Sequence, residues 1–354
     1  MPITVGIAGI TGKFARLIAN NLCKSPNVHI RGFCRNESKL PKHFRESSRV
    51  TVLEGNATDL VSLRQFARGC DVVICCYLGD NELMTNGQKL LVDACELEGV
   101  SRYIASDYCL DFTKLELGQH PAKDPMKHVK AHLDTKQTVK GVHILIGVFM
   151  ETFWSGYFGI WDEKSCRLKY YGNGDEMWES TTYDTAAEFV AAVAQDRNAV
   201  GTQHCEIMST YSFTATQITK HIHVKQSWVT VVQSVTSLKT SPKFMAHGQS
   251  STASDRSMIS TRRCRQSSIR TRQTCSPILL CECSSSGCNA IESTLMLIGF
   301  RFYQYYCTNG QTYLKKQLDN SKYPQITPVT FKDFLQAHKM EDLADAYNNA
   351  GSSV

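Results

Sequence analysis

The chain has 354 residues, 39 Lys and Arg against 33 Asp and Glu, and 42% apolar residues. That length gives about two to three domains, and the composition is that of a folded chain rather than a disordered one. No apolar run approaches the ~20 residues of a membrane helix, and the N-terminus lacks the basic and apolar regions of a secretory signal, so membrane proteins and secreted disulfide scaffolds are set aside.

The fifteen cysteines therefore read as reduced thiols, and the expected location is cytoplasmic. Cys75 and Cys76 are adjacent and no Cys-x-x-Cys pair occurs, so no metal site is expected.

In chain order, Ile3–Ala8 reads as a short apolar strand and Phe14–Cys23 as a helix with apolar positions three to four apart. His29–Cys34, Val50–Leu53, Asp71–Cys76 and Arg102–Ala105 read as further strands. Leu60–Ala67, Glu82–Glu98 and Pro125–Lys140 read as helices, and Val142–Met150 as the sixth strand. Strands alternating with helices predict an α/β fold, a doubly wound parallel (Rossmann) sheet over residues 1–150. A smaller C-terminal α+β substrate lobe is expected from 151–208 and 299–345.

The first turn is Gly6-Ile7-Ala8-Gly9-Ile10-Thr11-Gly12, a glycine loop directly after a strand and directly before a helix. Glycines let the backbone approach a pyrophosphate, and the helix N-terminus supplies free N–H groups and partial positive charge. Gly6, Gly9, Ile10, Thr11 and Gly12, with Lys13 and Phe14, are the first candidate cofactor residues. The second strand ends at Arg35, where NAD-binding folds place an acid for the ribose hydroxyls. An arginine there suits the 2′-phosphate of NADPH, with Asn36 and Lys39 close behind. Asn56 after the third strand and Gly79 after the fourth are assigned to the adenine and nicotinamide sides by position.

Beyond the sixth strand come Phe149, Phe153, Trp154, Tyr157, Phe158 and Trp161. They fit either plain core or the wall of a pocket for a flat aromatic molecule, and Met150 and Trp154 are the candidate substrate contacts. Ser106 sits at the end of the fifth strand, and Asp184 opens a helix as a cap.

These blocks resemble the NmrA-like, isoflavone-reductase-like group of atypical short-chain dehydrogenases, in its fungal branch. The resemblance lies in GIAGITG at 6–12, the strand ending in Arg35, residues 104–134 and 141–154, 170–194, and 302–335. It implies a Rossmann domain binding NADPH and hydride transfer to a small aromatic or unsaturated substrate. It also implies an essential lysine on the helix after the fifth strand, in a Lys-Ala-x-(Ile/Leu) pattern. Lys130-Ala131-His132-Leu133 matches, which makes Lys130 the candidate acid/base and Lys127, one turn earlier, the reserve. The Tyr-x-x-x-Lys pair of most short-chain dehydrogenases is missing. The same resemblance admits a second role, a non-catalytic redox-sensing regulator of transcription that binds a protein partner. Neither role involves a membrane or direct contact with nucleic acid.

Residues 209–298 stand apart. They carry 10 basic and 3 acidic residues, 18 Ser, 12 Thr and 5 of the 15 Cys, with no period of 2 or 3.6. A basic nucleic-acid-binding insert and a zinc knuckle of Cys281, Cys283, Cys288 with His221 or His223 are the functional readings. The reading adopted is an out-of-frame or intron-derived translation, poorly ordered, interrupting the substrate lobe where the resemblance also stops.

Overall fold

The short β-branched runs of the N-terminal half form one sheet because its central strands, Ile3–Ala8 and Val72–Cys75, are buried on both faces, the signature of a parallel sheet covered by helices on both sides. The computed structural model describes residues 2–162, 167–170, 173–203, 214, 218, 230–233, 303–339, 342–343 and 345–349. All of them belong to one compact unit, Met1–Thr236 together with Leu297–Val354.

Strands β1 (Ile3–Ala8), β2 (Val28–Cys34), β3 (Val50–Glu54), β4 (Val72–Cys75), β5 (Arg102–Ile104), β6 (Lys140–Ile144) and β11 (Gly201–Gln203) make a seven-stranded sheet in the order β11-β6-β5-β4-β1-β2-β3. Every pairing in it is parallel. The order reverses between β1 and β4, so a crevice opens at their carboxyl ends, where such folds hold ligands. Helices α1 (Lys13–Cys23), α3 (Leu60–Ala67), α4 (Gln88–Leu97) and α5 (Asp124–Asp134) connect the strands, with the one-turn α2 (Lys42–Arg45) before β3. The predicted Rossmann sheet is present, and the helix expected at Leu60–Ala67 has those bounds.

Three boundaries differ. The helix expected over Pro125–Lys140 stops at Asp134, because the Glu96 carboxylate, on α4, accepts the amides of Gln137, Thr138 and Val139 at 2.8–3.1 Å. That interaction turns the chain directly into β6. The strand expected over Val142–Met150 is split into β6 and β7 (Val148–Phe149) by Gly147, whose φ is +70°. The stretch expected as one helix from Glu82 begins with a π-turn at Leu83–Gly87.

Helix α7 (Tyr183–Gln195) lies against α1, and its start is capped by Thr182, which accepts the Thr185 amide; Asp184, expected as the cap, sits in the first turn. Its other end is held by a residue the sequence shows only as the first of a strand. Arg102 is 3% exposed, and its guanidinium donates to the carbonyls of Val193 (3.0 Å), Ala194 (2.7 Å) and Asp196 (2.7 Å). A cation there satisfies the last carbonyls and opposes the helix dipole.

The C-terminal lobe begins with β7 and α6 (Met150–Trp154) and contains β8 (Trp161–Asp162), antiparallel to β9 (Arg167–Tyr170). Strand β10 (Ser180–Thr181) pairs with β7. Helix α8 (303–308), α9 (Phe331–Ala337) and α10 (Ala346–Asn349) complete it. Phe153, Trp154, Phe158, Trp161, Trp178 and Phe331 share its core. Within 209–298, Thr230–Gln233 is a strand (β12) parallel to β9, and Ile218 is buried in the lobe core. Apart from Thr214, the remainder of the segment, including Cys281, Cys283, Cys288, His221 and His223, lies outside the described residues.

Candidate functional site

The glycine loop lies at the carboxyl edge of the sheet, at the point where strand order reverses. Gly9 has φ +81°, and a Cβ there would lie 2.9 Å from the Cys76 carbonyl oxygen. Only glycine fits both the left-handed backbone and the close approach. The Gly9 and Ile10 amides donate to Phe33 O, and the Gly12 amide donates to Gly9 O, which fixes the loop against the end of β2. Gly12 is the N-cap of α1 and offers no side-chain cap. The N-terminus of α1 therefore lies beside a loop with no side chains at 9 and 12. That cradle fits a pyrophosphate.

Gly6 is placed differently from the rest of the motif. It is inside β1, where a Cβ would lie 3.0 Å from Phe66 and Val73. A side chain there would press on the packing of α3 against the sheet.

Arg35 follows β2, as expected, and is exposed. Among the described residues no carboxylate lies within ion-pair distance of it or of Lys39. Asn36 is occupied in its own turn, accepting from the amide and hydroxyl of Ser38 at 2.9 and 2.6 Å. Asn56 similarly accepts the Thr58 amide at 3.2 Å. Both shape loops at the carboxyl edge. Gly79 is exposed beyond β4, in a loop whose Leu78 is 87% exposed.

The side of the crevice toward β5 carries an aromatic group that spacing does not reveal. Phe14, in the first turn of α1, meets Tyr108, Phe149 and Tyr183 at ring distances of 4.9, 5.1 and 5.8 Å. Phe149 and Tyr183 stack at 3.9 Å and 3°. Tyr108 has φ +34°, a strained backbone for a bulky residue, and its hydroxyl donates to Cys75 O at 3.2 Å. Ser106 donates to Tyr77 O at 2.8 Å. Asp107 is buried against His143, with Oδ2 2.6 Å from Nδ1. Together these bonds hold the segment after β5.

The lysines of α5 occupy different environments. Helix α5 crosses between the parallel strands β5 and β6, so its N-terminus is at the carboxyl edge. Lys123, at the N-cap, is 3% exposed, with its ammonium 4.7 Å from the Tyr303 ring centroid. Lys127 reaches back to the Leu115 carbonyl, in the segment after β5. Lys130 pairs with Asp134 at 2.8 Å, with side chains 32% and 61% exposed. His120 is buried in the lobe's aromatic contacts with Tyr303 and Tyr306. Burial, and then the Lys123 charge, pull its pKa down to about 3.

Met150 and Trp154, the candidate substrate contacts, lie in the lobe core. They are 2% and 0% exposed, and Trp154 stacks on Phe331 at 6.0 Å with its edge toward Phe153 and Trp161. The short helix α6 turns both into the lobe's centre. A lobe cavity is lined instead by Phe153, Ile160, Leu168, Tyr170, Trp178 and Gln304.

Glu151, between those two, escaped the sequence reading. It is 6% exposed and caps α7, accepting the Tyr183 amide at 3.0 and 3.1 Å. Burial raises its pKa to about 8, against the pull of its own and the Tyr183 amide, and Asp184 adds to the rise. The carboxyl is thus protonated at neutral pH. An unfolded carboxyl titrates near 4.5, so between that value and about 8 the unfolded state loses a proton that the folded state keeps. Folding stability therefore falls as pH rises through this window. Thermal denaturation at pH 5, 6.5 and 8 is expected to show that decline in the wild type and a flatter profile in Glu151→Gln.

Residues 9–140 match the NAD(P)H-binding family model. Among curated proteins, "Oxidoreductase nsrR" of Aspergillus novofumigatus (strain IBT 16806) is 37% identical over 75 residues, 20% of this chain and 28% of the relative. The chain thus matches less than a third of that relative's length. Among solved structures, the crystal structure of isoflavone reductase aligns with TM-score 0.64 and 15% identity, covering 95% of this chain and 99% of that one. AtPrR2 with NADP+ and (+)-pinoresinol aligns with TM-score 0.63 and 13% identity, over 95% and 99%. At such identity the likeness is one of fold. No helix among the described residues is long and apolar enough to cross a membrane.

Proposed function

We propose that this chain, an NAD(P)H-binding oxidoreductase in the isoflavone-reductase-like fold, is an NADPH-dependent reductase of a flat aromatic or unsaturated small molecule in the cytoplasm. The observation that carries this reading is the bare, uncapped loop of Gly9 to Gly12 at the sheet's switch point, with the unpaired Arg35 at the end of β2. The loop and α1 amides bind the pyrophosphate, and Arg35, assisted by Lys39, binds the 2′-phosphate. Bound there, the cofactor supplies a hydride from its nicotinamide ring.

In this reading Phe14, Tyr108, Phe149 and Tyr183 form the apolar wall that orients a planar substrate and excludes water. The proton that balances the hydride comes from a lysine of α5. Lys127 suits that role better than Lys130. Its side chain turns toward the segment after β5, whereas Lys130 is three residues, about 4.5 Å, farther from the carboxyl edge and is tied to Asp134. The Rossmann part ends near residue 150, and the lobe built from 151–208 and 299–345 closes over the substrate.

The test is spectrophotometric oxidation of NADPH against a panel of naphthoquinones and aromatic α,β-unsaturated ketones. Turnover with at least one class supports the reading. Tight binding of NADPH with no turnover across the panel overturns the reductase and leaves the redox-sensing regulator with a protein partner as the better account.

A further inference from the structure

Helix α1 carries the wrong charge for an unliganded helix start. Its first turn has no acidic residue, and Lys13 and Arg16 stand there, three residues apart on one side. Cations at a helix N-terminus oppose the macrodipole, and like charges at this spacing repel. Burial, followed by the Arg16 charge, lowers the Lys13 pKa. The Arg16 Nε is buried without a hydrogen-bond partner, and among the described residues no carboxylate pairs with the guanidinium. A buried donor left without an acceptor is destabilising. These unfavourable features coincide at one place, beside the loop that fits a dinucleotide.

The direction of Arg16 follows from the helix. Phe14 faces α7 through Tyr183, and Arg16 is rotated about 200° from it at about 100° per residue. Arg16 shares its face with Cys23, seven residues on. The Cys23 carbonyl accepts from Arg49, the residue just before β3, at 2.6 Å. The fully buried Ala15, Ile18, Ala19 and Leu22 seat α1 on the sheet and α7 lies along the Phe14 flank, so the opposite flank, with Arg16 and Cys23, lies toward β2 and β3. Helical side chains lean toward the N-terminus, so Arg16 leans toward the carboxyl end of β2, where Arg35 stands.

We propose that Arg16 is a second arginine for the 2′-phosphate of NADPH, approaching it from α1 while Arg35 approaches from β2. The proposal rests on the dinucleotide reading above and deepens it. A doubly negative phosphate between the two relieves the Lys13–Arg16 repulsion, gives the orphaned guanidinium N–H an acceptor, and sets the preference for NADPH over NADH. Arg16 has no part in the pyrophosphate cradle, which uses backbone amides.

The test is equilibrium titration of the full chain with NADPH and with NADH, followed by tryptophan fluorescence, for the wild type, Arg16→Gln and Arg16→Lys. Arg16→Gln is expected to raise the Kd for NADPH at least tenfold and to leave that for NADH within twofold. Arg16→Lys, which keeps the charge but loses the fork, falls between. The melting midpoint without nucleotide stays the same or rises in Arg16→Gln, because the repulsion is gone. An NADPH Kd within twofold of wild type, or equal weakening of both nucleotides, overturns the proposal and leaves the dinucleotide reading standing. A wild type that binds neither nucleotide overturns both.

Discussion

Lys127→Ala is expected to lower the turnover of the proposed NADPH-dependent reduction by about a hundredfold or more, the range that positioned proton transfer contributes, and Lys130→Ala is expected to change it less than about threefold. The contrast follows from where the two ammonium groups are. Lys127 is one turn into α5 at the carboxyl edge and bonds the Leu115 carbonyl; Lys130 lies a turn lower, paired with Asp134 on a partly exposed face. A general acid must reach the atom that receives its proton, so distance from the crevice decides before any other property does. Single-turnover kinetics separate this from a structural effect, since the affinity for NADPH should be unchanged in both variants. Lys127→Arg retains positive charge but is not expected to restore turnover, because an arginine does not give up its proton. A large loss with Lys130→Ala and none with Lys127→Ala would reverse the assignment.

Gly147→Ala is expected to destabilise the protein by about 3 kcal/mol or more, at the upper end for single substitutions. Gly147 has φ +70°, and a Cβ there would collide with the Glu179 backbone carbonyl. That carbonyl accepts the Val148 amide at 2.9 Å and joins β7 to the strand β10, which leads into α7. The methyl group therefore meets backbone on one side and left-handed strain on the other, and neither can relax cheaply. Urea denaturation checks the size of the effect. A variant within about 1 kcal/mol of wild type would show that the link between β7 and β10 is softer than its geometry implies.

The glycine loop and the alternation of strands with helices were legible because they are local patterns. A glycine directly between an apolar strand and an amphipathic helix has few other readings, and Leu60–Ala67 carries its period and its Asp59 cap within ten residues. What escaped depends on partners distant in sequence. The early end of α5 is imposed by Glu96, more than forty residues earlier than the amides it binds. The role of Arg102 needs three carbonyls more than ninety residues away. Gly6 has the spacing of a ligand glycine and the surroundings of a packing glycine, and only the position of Phe66 separates the two. Lys127 and Lys130 both fit a surface helix, and the pattern that favoured Lys130 says nothing about which of them faces the crevice. Met150 and Trp154 show the same limit: an aromatic run after the last strand is equally consistent with a wall or a core, and the turn of α6 makes it a core.

The most direct test of the central claim is the melting midpoint of the full chain, alone and with saturating NADPH or NADH. A ligand that binds only the folded state stabilises it by about 2.7 kcal/mol at a hundredfold excess over its Kd. The loop at Gly9 to Gly12 and the arginine at the end of β2 predict a clear upward shift with NADPH and a smaller one with NADH. No shift with either nucleotide, or a larger shift with NADH, would contradict the account.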